Sequence, residues 1–146
     1  MPSDVSINRA LWSRSSQRSA GGHYDASATH YEGIRYRCRA CEVNCIFSAQ
    51  EQRVAYEVNK KYVWWLPALC ATCSERLIAL RATDKLHQAQ WNQQRQSLAA
   101  DRTFLESWLA VIQGLRAHGK PNDSMERMLV RRLLELPMSP RQEGAA

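Results

Sequence analysis

Two closely spaced pairs of cysteines constrain this chain more than any other feature of its 146 residues. Cys38 and Cys41 form one C-x-x-C motif, and Cys70 and Cys73 form another. A two-residue spacer lets a tight turn bring both sulfur atoms of a motif to one metal ion, at about 2.3 Å for zinc. Because two such motifs supply the four thiolates of a closed tetrahedral site, the sequence predicts one structural zinc ion.

The fifth cysteine, Cys45, is left outside this set. A ligand set that used Cys45 in place of Cys38 would need a three-residue spacer inside a strand, which suits a metal-binding turn poorly. Free cysteine is often buried, so we expect Cys45 to be a small core residue, with a ligand or a reactive thiol as the alternatives. The four histidines are His23, His30, His87 and His118. We expect all four to be exposed, because four thiolates need no further ligand.

Cysteine usage and composition favour a cytoplasmic protein. No apolar run approaches the ~20 residues that a membrane-spanning helix needs. The first 22 residues are rich in serine and arginine with one acid, Asp4, which is typical of an organellar targeting segment. They form no clear amphipathic face, so we expect a disordered basic tail instead. In a reducing cytosol, paired C-x-x-C motifs indicate metal binding rather than disulfides.

The positive charge of the chain is spread evenly. The formal net charge is +6, and no run of five like charges occurs. A nucleic-acid-binding surface usually concentrates its lysines and arginines, so this distribution supports such a surface only weakly.

The patterns predict an α+β fold, with a small four-cysteine zinc ribbon of strands plus one short helix, followed by an α-helical C-terminal region. The expected divisions are a flexible basic N-terminal tail over 1–30, a zinc-ribbon domain over 31–76, a helical region over 77–137 and a disordered tail over 138–146. In "EVNCIF", alternation predicts a strand with Val43, Cys45 and Phe47 on one face. Ser48 and Glu51 form a capping box, which predicts a helix that runs to about Asn59.

Two further patterns complete the predicted secondary structure. The run "KKYVWWLP", residues 60–67, is rich in β-formers and ends at proline, which predicts a second strand that leads to Cys70. A long helix is expected over 74–98, and the next should begin at Asp101 and end before Gly119. A third should begin near Asp123 or Ser124 and end at Pro137. The last two should form a hairpin packed through Phe104, Trp108, Leu109, Ile112, Met128, Leu129 and Leu133.

The cysteine region resembles a zinc-ribbon domain family of mainly bacterial proteins. The resemblance covers about residues 31–76 and rests on Tyr36-Arg-Cys38-x-x-Cys41, on "SAQEQ" with Tyr56-Glu57, and on "KKYVWWLPALCATC". It implies that the four cysteines of the two motifs bind zinc, and it implies no activity. Two positions depart from the family pattern: Cys45 replaces an apolar residue, and Glu42 stands where a glycine often follows the second cysteine.

No motif indicates an enzyme, and no small-molecule substrate or membrane partner is evident. The sequence contains no glycine-rich phosphate loop, nucleophile elbow or H-E-x-x-H motif, and a zinc site with four cysteine ligands leaves no open position for water. We therefore expect a non-enzymatic interaction module. Redox chemistry at the C-x-x-C motifs is a minor alternative.

The adjacent tryptophans Trp64 and Trp65 are the strongest indication of a partner. Neighbouring residues of a strand face opposite sides, so one should pack in the ribbon, against Tyr56 or Phe47. The other should either be covered by the C-terminal helices or stand exposed beside Lys60 and Lys61. An exposed tryptophan could anchor a protein partner or stack on a base. The long amphipathic helices favour a protein-binding adapter or self-association, with nucleic-acid or ribonucleoprotein binding as the alternative.

Overall fold

The computed structural model describes residues 3–137 and has the predicted mixed α+β fold, in which helices predominate. Within these residues the sheet is a two-stranded antiparallel hairpin. The chain divides into two units between Cys70 and Ala71, shortly before the boundary predicted after residue 76. The tail expected over 138–146 lies outside the described residues.

The hairpin of the first unit consists of β1 (Ile34–Arg37) and β2 (Asn44–Phe47). Its register places Tyr36 opposite Cys45. Because alternate residues of a strand share a face, Cys45 and Phe47 lie on one side, as the alternation in the sequence predicts. Phe47 is buried, whereas Ile46 on the opposite face is mostly exposed. The hairpin therefore covers a core on one face only.

The first unit contains the short α-helices α1 (Arg14–Gln17) and α2 (Ala49–Arg53), and α2 begins at the predicted capping box. The Ser48 hydroxyl accepts the backbone N–H of Glu51 at 3.1 Å, and the Glu51 carboxylate accepts the backbone N–H of Ser48 at 3.2 Å. The chain then continues as a π-helical turn over Val54–Val58, and Asn59 caps its end. The predicted helix is thus present between its predicted limits, but its second half is wider than an α-helix.

The segment "KKYVWWLP", residues 60–67, does not form the predicted strand. Lys60 adopts a φ of 58°, in the left-handed region, which interrupts an extended backbone at the first residue of the segment. A turn follows, in which the Trp65 N–H donates to the Tyr62 carbonyl at 2.7 Å. The alternation of strand faces therefore does not apply here, and it cannot assign Trp64 and Trp65 to opposite sides.

The N-terminal segment, residues 3–30, differs from the flexible tail that the sequence predicts. Trp12 in this segment is buried and belongs to the hydrophobic core of the first unit. The Ser16 hydroxyl, also buried, accepts the backbone N–H of Val63 at 3.1 Å. The physical reason is size, because a two-stranded hairpin and one short helix cannot enclose a core without further cover.

A buried hydrogen-bond chain joins this N-terminal segment to the π-helical turn. The Trp12 Nε1–H donates to the Tyr31 hydroxyl at 2.8 Å, and that hydroxyl donates to the Glu57 carboxylate at 2.7 Å. The same carboxylate accepts the backbone N–H of Asn8 at 3.2 Å. Burial raises the pKa of Tyr31 above its usual value, so the hydroxyl keeps its proton. Each polar group named here has a partner, as burial requires.

The described part of the second unit contains three helices: α3 (Ala71–Leu98), α4 (Arg102–Ala117) and α5 (Asp123–Glu135). The long helix predicted over 74–98 is present and begins three residues earlier. Non-helical backbone angles at Gln94 mark a kink in its polar second half. Although α3 has 28 residues, no helix among the described residues is apolar enough over a sufficient length to cross a lipid bilayer.

The last two helices begin and end close to the residues that the sequence predicts. The Asp101 carboxylate accepts the Phe104 N–H at 3.1 Å, which makes Asp101 the predicted cap of α4. Gly119 has a φ of 81°, the left-handed conformation that ends many helices. Asn122 caps α5 by accepting the Met125 N–H at 3.2 Å, one residue before the predicted position.

Helices α4 and α5 form the predicted antiparallel hairpin. At one end the Arg102 guanidinium donates to the Leu133 carbonyl at 3.0 Å, and at the other the Arg116 guanidinium contacts Glu126 at 2.7 Å. The buried apolar residues of the hairpin are Leu105, Trp108, Ile112, Leu115 and Leu129. The other residues predicted to pack it are half-buried: Phe104, Leu109, Met128 and Leu133.

Helix α3 packs against α4 through a group of aromatic rings. The Trp108 Nε1–H donates to Asp84 of α3 at 2.9 Å, and the His87 ring stacks on Trp108 with centroids 6.1 Å apart. Trp91 is buried as well, and the Arg132 guanidinium lies 5.2 Å from its ring centroid. The glutamine-rich part of α3 is therefore not simply exposed to solvent, since Trp91 holds it to the hairpin.

Replacement of Trp12 tests the packing of the N-terminal segment. Trp12→Ala should lower the free energy of unfolding by about 3–5 kcal/mol, because it empties a buried site and removes a hydrogen-bond donor from Tyr31. The matched control is the neighbouring exposed residue, and Leu11→Ala should change stability by no more than about 0.5 kcal/mol. Urea denaturation followed by circular dichroism measures both. A flexible segment would make the two variants equivalent.

Replacement of Trp108 tests the core of the second unit. Trp108 is fully buried, so Trp108→Ala should cost about 3–5 kcal/mol of unfolding free energy. Leu134→Ala is the control, because Leu134 is 81% exposed on α5 and should be nearly neutral. Calorimetry of the full chain gives both values. A loss below about 1 kcal/mol in Trp108→Ala would contradict the packing described above.

Candidate metal centre

The first cysteine pair lies in the loop that connects β1 to β2. The Cys38 N–H donates to the Val43 carbonyl at 2.9 Å, and the Cys38 carbonyl accepts the Glu42 N–H at 2.9 Å, which closes a tight turn. Glu42 has a φ of 65°, a conformation that glycine adopts without strain. The Arg37 Nε–H donates to the Glu42 carbonyl at 3.1 Å, and this hydrogen bond stabilises the turn.

The second cysteine pair lies where the chain enters α3. Cys70 precedes the helix, and Cys73 belongs to its first turn, so the local helical geometry sets their spacing. The Arg39 N–H donates to the Ala68 carbonyl at 2.8 Å, which joins the two cysteine loops through their backbones. This hydrogen bond helps to bring the two motifs together, although 28 residues separate them in the chain.

The four sulfur atoms of Cys38, Cys41, Cys70 and Cys73 lie within 4.8 Å of one another. The Cys41 and Cys70 sulfurs are 3.7 Å apart. A tetrahedral ion with sulfur ligands at about 2.3 Å separates each pair of sulfurs by about 3.8 Å, which agrees with this distance. The four cysteines predicted as ligands are therefore brought together and positioned to bind one metal ion.

Backbone N–H groups prepare the Cys38 sulfur to carry negative charge. The N–H of Cys41, assisted by those of Cys70 and Ala40, lowers the pKa of the Cys38 thiol to about 6, against the opposing effect of burial. Hydrogen bonds to the charged form of a group favour that form. Because a metal binds the thiolate and not the thiol, the turn geometry favours metal binding at Cys38.

Cys45 lies outside this sulfur cluster. It is half-buried on β2, and its thiol donates to the Val43 carbonyl at 3.6 Å. The pKa of Tyr36, on the opposite strand, is raised to about 12. Burial is the largest cause of this increase, and the interaction with Cys45 is the next. Cys45 therefore shares a face with the core residue Phe47 but keeps part of its surface exposed, so its packing role is smaller than predicted.

The histidines do not contribute to the cluster among the described residues. Their predicted exposure is correct for His23 and His30 and wrong for the other two. His87 is half-buried in the second unit, where it stacks on Trp108. His118 is also half-buried, with its Nδ1 at 2.8 Å from the Gly114 carbonyl. Neighbouring helical residues thus fix these two rings.

The predicted partner-contact residues form a second feature of the first unit. Trp64 is 48% exposed, and Trp65 is 38% exposed. The prediction that one tryptophan packs in the ribbon is only partly correct, because Trp65 meets the Phe47 ring edge-to-face at 5.8 Å and still reaches solvent. Tyr62, which sequence reasoning did not select, is 46% exposed in the same turn. We call Tyr62, Trp64 and Trp65 the aromatic patch.

The two lysines beside the aromatic patch are already engaged within the protein. The Lys61 ammonium lies 4.8 Å from the centroid of the Trp65 ring, a cation–π arrangement. The Lys60 ammonium donates to the Leu11 carbonyl. The exposed residue His23 of the N-terminal segment contacts the aromatic patch, because its ring lies edge-to-face against Trp64 with centroids 4.9 Å apart. No local sequence pattern predicts this contact between His23 and Trp64.

Separate cysteine replacements test the ligand assignment. Cys45→Ala should retain one metal ion per chain, because Cys45 lies outside the sulfur cluster, and should lose at most a few kcal/mol of stability. Cys70→Ala should lose the metal and much of the fold of the first unit, since metal binding contributes directly to folding at such sites. Elemental analysis of the purified proteins for zinc and iron gives the result. Loss of metal in Cys45→Ala would overturn the assignment.

Comparisons with known proteins do not add to these geometric findings. No protein-family model, curated protein or solved structure matches the chain. The resemblance to zinc-ribbon domains therefore rests on the motifs quoted above. What is established at this site is a cluster of four cysteines that can hold one metal ion.

Proposed function

We propose that Cys38, Cys41, Cys70 and Cys73 bind one Zn²⁺ ion that stabilises the first unit as a zinc ribbon. The observation that supports this most strongly is the 3.7 Å separation of the Cys41 and Cys70 sulfurs, close to the edge length of a tetrahedral zinc thiolate site. Tetrahedral sites with four sulfurs take zinc or iron. Zinc is expected in the elemental analysis, and stoichiometric iron would refute this part of the proposal.

Such a site has a structural role rather than a catalytic one. Catalytic zinc usually has three protein ligands and an open position for water, whereas four thiolates complete the tetrahedron. The protein is therefore proposed to be non-enzymatic. The proposed compartment is the cytoplasm, where a reducing environment keeps the thiols available for the metal.

The proposed function is that of a protein-binding adapter, with the aromatic patch as the contact surface. Tryptophan and tyrosine are enriched at protein interfaces because they bury a large area and can still form a polar contact. In the patch Trp64 and Tyr62 are each nearly half exposed, and Trp65 adds a third ring. Self-association through the same rings would be one form of this function.

Nucleic-acid binding is the alternative, and the two lysines make it the weaker one. Phosphate binding needs cations that can reach a ligand. Lys60 and Lys61 are exposed, but they contact the Leu11 carbonyl and the Trp65 ring, so binding a phosphate would cost these internal contacts. Stacking of a base on Trp64 remains sterically accessible, because that ring is 48% exposed.

One set of variants distinguishes the two functions. Partners are first captured from lysate with and without nuclease treatment, and are then titrated at two salt concentrations, with a mixed-sequence single-stranded oligonucleotide as the nucleic-acid probe. For a protein partner, Trp64→Ala should cost about 2 kcal/mol or more of binding free energy, with little dependence on salt. Val58→Ala is the matched control, because Val58 is 61% exposed and lies outside the patch.

Nucleic-acid binding, the alternative function, should depend strongly on both nuclease treatment and salt concentration. If the partner is nucleic acid, nuclease should abolish capture and affinity should fall steeply with salt. Each phosphate contact adds about 0.7–0.9 to the log–log slope, so replacing both Lys60 and Lys61 by alanine should lower it by about two such steps. Binding that survives replacement of both lysines and both tryptophans would refute the aromatic patch as the contact surface. Light scattering of the purified chain tests self-association.

A further inference from the structure

The four sulfur atoms of the metal centre differ in their access to solvent. Cys38 and Cys73 are buried, Cys70 is half-buried, and Cys41 is exposed. A small oxidant in solution therefore reaches Cys41 first. Susceptibility of cysteine to oxidation follows its thiolate character and its exposure, and a thiolate held by a metal in an exposed loop has both.

The position of Cys70 makes it the natural partner for an oxidised Cys41. Their sulfurs are 3.7 Å apart, and a disulfide bond requires about 2.04 Å. The hydrogen bond between Arg39 and Ala68 holds the two loops together at 2.8 Å, so rotation of the two side chains could close the remaining gap. These sulfurs belong to different C-x-x-C motifs, so this bond would link the two cysteine loops.

The remaining sulfurs compete less well for Cys41. Cys38 is buried, and two backbone hydrogen bonds, to the Val43 carbonyl and from the Glu42 N–H, fix its backbone in the turn. Cys73 is also buried, in the first turn of α3.

We infer that the metal centre is a peroxide-sensitive switch, in which Cys41 is oxidised, Cys70 captures it in a disulfide, and the metal is released. This inference rests on the proposed metal binding and adds its regulation. In the first step the Cys41 thiolate attacks hydrogen peroxide and gives a sulfenic acid and hydroxide. In the second step the Cys70 thiolate attacks the Cys41 sulfur and displaces a second hydroxide. In total two thiolates are oxidised by two electrons, and one peroxide is reduced.

Loss of two of four ligands explains the release of the metal. Only the Cys38 and Cys73 thiolates would remain, and two sulfurs cannot complete a tetrahedral site. The disulfide would hold the two loops together without the ion. A thiol reductant together with added zinc should reverse the change, because disulfide formation stops short of irreversible oxidation.

The test uses the metal-loaded full chain and hydrogen peroxide. One equivalent of peroxide should release about one equivalent of metal, measured with a colorimetric chelator. Dimedone, which traps sulfenic acids, should label Cys41 ahead of the other cysteines. Tryptic digestion without reduction then identifies the disulfide. Cys41 and Cys45 share the peptide 40–53, and Cys70 and Cys73 share the peptide 62–76, so fragmentation within each peptide assigns the pair.

Cys45→Ala is the matched control variant, because it removes the second cysteine of peptide 40–53 and lies outside the metal cluster. It should release metal at the same peroxide equivalence and give the same link. A dominant disulfide within one motif, such as Cys38 to Cys41, would overturn the inference, as would metal retained in a large excess of peroxide. Metal content is measured before oxidation, so a metal-free starting protein refutes the proposed zinc site itself, whereas a loaded protein that resists peroxide refutes the switch alone.

Discussion

The electrostatics of four adjacent sulfurs is the constraint on which the first unit depends. Sulfur atoms within 4.8 Å of one another repel strongly once they are thiolates, and either protonation or a cation bound among them removes that repulsion. The turn at Cys38 already favours the charged form through three backbone N–H groups. The proposed metal binding would therefore close the two loops in the same event, because binding energy is folding energy at structural metal sites.

The same unit shows how a two-stranded hairpin with one short α-helix acquires a core. Its hairpin covers one face only, and the N-terminal segment supplies Trp12 to the core. The buried chain from Trp12 through Tyr31 to Glu57 fixes this segment in one register, because any shift would leave a buried carboxylate without its donors. Trp64 is not part of this core and is 48% exposed.

Much of this organisation was predictable from local sequence signals. The C-x-x-C spacing, the Ser48–Glu51 capping box and the apolar stripe around Trp108 each act through residues close in the chain, and each was predicted correctly. The strand predicted at "KKYVWWLP" was wrong, because β-propensity reflects packing against a neighbouring strand, and this segment has none. The flexible N-terminal tail was wrong for a related reason. Serine and arginine dominate the composition of this segment, but its single tryptophan, Trp12, is buried in the core.

The sequence by itself determined which four cysteines converge, where most helices begin and end, and that the last two helices pair. These outcomes follow from short-range geometry: turn spacing, capping and the 3.6-residue period. Only the tertiary structure decided the role of residues 3–30, the partial exposure of both tryptophans and the access of solvent to Cys41 but not Cys38. Exposure depends on contacts between segments far apart in the chain, such as Val63 with Ser16, and no local pattern encodes those contacts.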